Sequence, residues 1–178
     1  MRELFGMPFW FLLAAALGAP VTSSASNRSV LLHACEAQVA GKFHRWRFAP
    51  VTPDVAEYAK DRHENPTITF GDFDGDGRKD VALLVQEGSS PQADYPARLD
   101  SLHIAVCLNQ KHVTLLTIEK LYCGDGITLT PKGQRYYDFE TDREGNYPLD
   151  GIHAYCFEKA GATYELRNGE FQKTVDSD

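Results

Sequence analysis

The stretch that decides the fold is FGDFDGDGRKDVALLV, residues 70–85. Asp72, Asp74, Asp76 and Asp80 fall within nine residues and give way at once to an apolar run, 81–85. Carboxylates this close repel one another unless a cation sits among them. Counted from Asp72, oxygen-bearing groups occupy positions 1, 3, 5, 7 and 9: the side chains of Asp72, Asp74 and Asp76, the main-chain carbonyl of Arg78, and the side chain of Asp80. Calcium takes about six to eight hard oxygen ligands in a flexible shell, whereas magnesium demands a stricter octahedron and keeps more water, so the expected ion is Ca2+. Gly75 and Gly77 supply the positive φ values that a tight turn around an ion requires. The competing reading is a solvated acidic turn between two strands. Because the loop joins two apolar, strand-like segments, 67–70 and 81–85, a bound ion would tie the fold together, and its expected role is structural rather than catalytic. An EF-hand is excluded, since its twelfth position would be Leu83 where that motif needs a bidentate glutamate.

Outward from the loop, most of the chain reads as short strands separated by turns. Strands are expected over 29–39 and 42–50, and again over 67–73 and 80–86. A turn-rich loop is expected over 87–100. Beyond it, 101–109 and 112–120 read as a hairpin joined at Asn109-Gln110-Lys111, followed by a short strand at 126–133. At the end, 151–160, 162–167 and 170–175 read as strands, the last two joined by Asn168-Gly169, the signature of a two-residue type I′ turn. One short helix is expected at 53–60, with Thr52 as N-cap and Pro53 in the first turn. The fold class is mainly β: a single domain of about nine short antiparallel strands and one short helix, in a β-propeller-like or sandwich arrangement stabilised by the calcium loop. The aspartate motif occurs once, so the chain does not encode a long array of blades.

Residues 1–25 read as a cleaved export signal, with Arg2 ahead of an apolar segment and small polar residues after it, and with cleavage after Ala25 or Ala19. The apolar segment is short for a membrane span, which needs about 20 such residues. No credible lipobox precedes a cysteine. The mature chain, 26–178, is then a soluble, exported domain. Cys35, Cys107, Cys123 and Cys156 in an exported chain imply one or two disulfides, with the pairing left open. The formal net charge of −7 disfavours nucleic acid and anionic membranes and suits a basic protein partner.

Catalytic motifs are not evident. The histidines form no HxH or HExxH pair, and neither a GxSxG elbow nor a phosphate-binding GxxxxGK[ST] loop occurs. Glu119, Asp125, Asp138 and Glu140 offer carboxylates for glycoside hydrolysis, but nothing local singles out two of them. The expectation is a protein without enzymatic activity.

The aspartate loop, together with LTPKGQRYYDFE (129–140) and the C-terminal residues 150–178, resembles small exported bacterial proteins with one FG-GAP-type loop. Within that group it resembles the immunity proteins that protect against lysozyme-like effectors of type IV secretion systems, and the periplasmic inhibitors of invertebrate-type lysozyme. The resemblance implies a calcium-stabilised β fold in the periplasm and, as partner, a lysozyme-like peptidoglycan hydrolase. One inhibitor family inserts a Ser-Gly-x-x-Tyr motif into the enzyme cleft. The matching stretch here is Ala160-Gly161-Ala162-Thr163-Tyr164, which implies Gly161 and Tyr164 as partner-binding residues although alanine replaces the serine. The alternatives are a strand tyrosine packed on the sheet and, for the whole protein, an exported FG-GAP-like interaction module with an adhesion or envelope role.

Overall fold

The computed structural model describes residues 24–88 and 101–177. The export signal expected up to residue 25 lies almost wholly outside these residues, as does most of the turn-rich segment 87–100. The elements follow in the order α1 (Ser24–Lys42), β1 (Trp46–Phe48), α2 (Pro53–Asp61), β2 (Ile68–Gly71), β3 (Asp80–Glu87), β4 (Leu102–Asn109), β5 (Val113–Ile118), β6 (Gly126–Thr130), β7 (Arg135–Asp138), β8 (Arg143–Asn146), β9 (Gly151–Cys156), β10 (Ala160–Arg167) and β11 (Glu170–Ser177). All strand pairs within the sheets are antiparallel. The mainly β class read from the sequence is the observed one.

Three layers stack around two apolar clusters. The first sheet runs β1-β3-β4-β5, with β2 also on β3, and the second runs β11-β10-β9-β6. Ala82, Leu84, Ile104 and Val106 of the first sheet meet Ile152, Ala154, Ala162 and Leu166 of the second in one core, in the manner of a sandwich. The opposite face of the first sheet, with Val81, Leu83, Val85, Ala105 and Cys107, is covered by Leu31, Cys35, Val39 and Phe43. This explains why 81–85 is apolar without alternation: β3 is buried on both faces.

Residues 29–39, read as a strand, are helical. Leu31, Cys35 and Val39 recur every fourth residue, which places all three on the face of α1 against the sheet. The run Val30-Leu31-Leu32 imitates a strand locally, but the surrounding Ala, Glu and Gln residues favour a helix. Burying Leu31, Val39 and Phe43 contributes roughly 1.5–3 kcal/mol per side chain, enough to hold the helix as a third layer. The strand expected over 42–50 shortens to β1, three residues long.

The short helix α2 forms as the sequence indicates, with Thr52 Oγ1 accepting the Val55 N–H at 3.3 Å. Asn168 and Gly169 take φ values of 54° and 84°, the pair that a type I′ turn needs between β10 and β11. The pairing that the sequence left open is Cys35–Cys107, joining α1 to β4, and Cys123–Cys156, joining the segment before β6 to the end of β9. No helix among the described residues is long and apolar enough to cross a membrane.

The ribbon β7-β8 has no counterpart in the sequence reading, because its strands are polar and largely exposed. Tertiary contacts hold it instead. The Phe139 N–H donates to Val175 O at 2.9 Å, Asp138 accepts from Val175 N and Glu140 N, and the Tyr136 ring lies 4.7 Å from the buried ring of Tyr147.

Candidate metal centre

The aspartate loop closes the hairpin in which Gly71 of β2 faces Asp80 of β3. Phe73 drops fully buried into the core between the sheets, so the loop is anchored from within. Gly75 and Gly77 have φ of 78° and 84°. A Cβ on Gly75 would also lie 2.7 Å from Leu149, so the turn closes only with glycine there.

The structure brings Asp72, Asp74 and Asp80 together: one carboxylate oxygen from each lies within 4.8 Å of the others. Asp80 is fully buried, its oxygens accepting the Phe73 and Asn109 N–H groups, each at 2.8 Å. Asp72 Oδ2 accepts from Gly77 N at 3.0 Å, while its Oδ1 is buried without a hydrogen-bond partner. Asp74 accepts from Asp76 N and from the Gln110 amide. Asp76 stands apart from the trio. Its carboxylate receives the N–H and the guanidinium of Arg78, whose hydrogen bonds hold it below the usual carboxylate range. The Arg78 side chain is thereby turned onto Asp76.

One further residue organises the loop that the sequence reading did not single out. Asp150, just before β9, accepts the Asp72 N–H at 2.8 Å and the Lys132 N–H at 2.9 Å, and Lys79 Nζ lies 3.6 Å away. The second sheet thus fixes the first residue of a loop that belongs to the first sheet. Only the Asp-Gly step at a strand start hinted at it.

The donor set fits calcium chemically. Three carboxylates converge, Asp72 has one buried oxygen without a partner, and at this separation each ionised pair repels by about 3 kcal/mol at an effective dielectric near 20. A divalent cation converts that repulsion into attraction. Without one, the fold favours a proton: burial, then the charges of Asp74 and Asp76, push the Asp80 carboxyl up to about 6 against the hydrogen bonds that it accepts. The sign of the pH dependence follows. A folded value above the unfolded one stabilises the protein at low pH, and that contribution is lost as pH rises through about 6. Asp138, Asp150 and Asp176 are shifted down, so their contributions are lost only as pH falls below the ordinary carboxylate range. In EDTA the protein is therefore expected to be more stable near pH 5 than near pH 7.5, by about 1.4 kcal/mol, and calcium to remove the difference. Melting curves in EDTA that rise across that interval would contradict this.

Gly161 and Tyr164 lie elsewhere, within β10. Tyr164 is 3% exposed, its ring in the core and its hydroxyl accepting the Tyr122 N–H at 2.7 Å. Gly161 is buried beside His153. Neither belongs to a projecting element, because alternation along β10 turns Tyr164 toward the other sheet.

No family model, no curated protein and no solved structure matches the chain.

Proposed function

We propose that the protein is an exported, non-enzymatic β domain of the periplasm that blocks a lysozyme-like peptidoglycan hydrolase, with calcium holding its fold. The observation that carries this reading is the β7-β8 ribbon. Such an inhibitor needs a rigid projecting element with an aromatic anchor, and the ribbon offers Phe139, 52% exposed, and Tyr137, 45% exposed, with their rings edge to face at 5.1 Å. Asp138 and Phe139, at the turn end of the ribbon, are tied to Val175 of β11, and Gln134 and Tyr147 pair at its open end, so little order is lost on binding. Aromatic anchors of this kind dominate the energetics of protein interfaces. Glu140 and Glu144 are paired with Lys173 and Arg135, and Asp142 accepts the Tyr137 hydroxyl, so the surroundings of the two rings are charge-balanced and the anchor is the aromatic pair itself. Two disulfides suit an oxidising compartment.

Asp72, Asp74 and Asp80 would hold the calcium, with the Arg78 carbonyl and water completing the shell. The ion supplies positive charge where the two sheets share the loop. The test is peptidoglycan hydrolysis by the lysozyme-like enzyme encoded nearest this gene, in calcium, with increasing amounts of the mature protein. Inhibition saturating at stoichiometric amounts is expected, and changing Tyr137 and Phe139 together to alanine should weaken it roughly tenfold or more without altering the melting temperature. Hydrolysis unaffected by an excess of folded protein would overturn the inhibitor reading in favour of the adhesion or envelope module.

A further inference from the structure

Away from both the metal loop and the ribbon's exposed rings, the outer face of the second sheet forms the floor of a cleft of about 770 Å³. Its floor is built around missing side chains. The Tyr155 ring lies across Gly126, where a Cβ would stand 2.3 Å from the Tyr155 hydroxyl, and the His153 ring lies across Gly161, where a Cβ would stand 2.5 Å from Nε2. Any larger residue at either glycine would tip its ring off the sheet. The two rings lie side by side, 6.3 Å between centroids and 20° from parallel, as one flat platform.

The platform is bounded and held. Tyr58 of α2 and Phe157 add edge-to-face rings, 5.5 Å apart, and the Arg62 guanidinium lies 4.8 Å over Tyr58. Beneath, Asp176 lies 3.2 Å from His153 Nδ1 and accepts the hydroxyls of Thr163 and Tyr147. Burial opposes ionisation of Asp176, but these partners outweigh it and hold the carboxyl below the usual range. The imidazole is thereby fixed in orientation, with Nε2 lying over Gly161.

The charges on the walls select the ligand class. Arg62 and Lys159 face Glu64, Glu158 and Asp176, a mixture with no cationic excess to hold a phosphate or a carboxylate. What fits is a neutral ligand with a flat, weakly polar C–H face and a rim of hydroxyls: a pyranose. Its axial C–H bonds rest against the negative faces of aromatic rings, while hydroxyls reach groups around the edge, here Thr128 and Gln134. We propose that this cleft binds a neutral oligosaccharide, one sugar ring lying on the Tyr155–His153 platform and its neighbour against Tyr58. This goes beyond the inhibitor reading and stands or falls separately from it, since it uses none of the residues assigned there.

The test is a titration of the calcium-loaded protein with chitotriose, cellotriose and maltotriose, followed by NMR shifts of the Tyr155 and His153 rings. At least one of the three is expected to bind saturably in the high-micromolar to millimolar range and to move those signals. Tyr58→Ala, at an exposed helix position, should weaken binding roughly three- to tenfold with the fold intact, and Tyr155→Leu should weaken it further. Absence of saturable shifts with all three sugars would overturn the proposal. So would shifts that map elsewhere, affinity unchanged in both variants, or binding of adenosine in place of the saccharides.

Discussion

Changing Cys35 and Cys107 together to serine is expected to lower folding stability by about 4 kcal/mol, the largest effect of any change that leaves the metal loop untouched. The bond closes a sequence separation of 72 residues, and the conformational freedom that such a link removes from the unfolded chain grows with loop length. It also fastens α1 to β4 through two fully buried sulfur-bearing residues, so serine would place two hydroxyls in an apolar cluster. For a domain of this size the melting temperature should fall by about 8–16 °C. The matching change at Cys123 and Cys156 closes a separation of 33 residues and should cost somewhat less, about 3.5 kcal/mol. A loss of only a degree or two at Cys35–Cys107 would mean that packing of Leu31, Val39 and Phe43 alone holds the helix.

Asp80→Ala is expected to be nearly as damaging, at about 3–4 kcal/mol, and to abolish any response to calcium. The change strips the partner from two backbone N–H groups, those of Phe73 and Asn109, at a position with no access to water. Each orphaned donor costs roughly 1–3 kcal/mol. Asp76→Ala is the informative contrast. Its carboxylate is exposed and serves only Arg78 within the same turn, so in EDTA that variant should melt within about 0.5 kcal/mol of the parent. Denaturant melts in EDTA and in calcium separate the two contributions. Equal losses for the two variants would mean that Asp80 acts only as another surface charge.

These contrasts show what a sequence reveals and what it hides. The loop was legible because carboxylates at alternate positions with intervening glycines have few stable solutions, and the strands on either side followed from apolar runs. The terminal hairpin was legible from Asn168-Gly169, since a type I′ turn tolerates few other pairs. Residues 29–39 misled because a local apolar triplet outweighed the wider spacing of Leu31, Cys35 and Val39, and only the sheet beneath decides between the two. β7 and β8 were invisible for a related reason: their pairing rests on Val175, far along the chain, and on the buried Tyr147 just after β8, and not on their own polar residues. Tyr164 shows the same limit at a candidate site, because a five-residue motif does not state which side of a strand faces the core. Asp150 reaches the loop from the other sheet, across 78 positions of sequence.

Calcium binding at the aspartate loop is tested most directly by titrating the metal-free protein. Calorimetry should report a single calcium site. At calcium a hundredfold above its dissociation constant, the free energy of unfolding should rise by about 2.7 kcal/mol. Asp72→Asn, which alters the ligand with the orphaned oxygen while keeping its shape, should abolish the heat of binding. In calcium it should melt no higher than it does in EDTA. A wild-type protein that takes up no calcium and melts identically in calcium and in EDTA at neutral pH would contradict the account, leaving the aspartates as a turn that the hydrogen bonds to Asp80 and Asp150 hold without an ion.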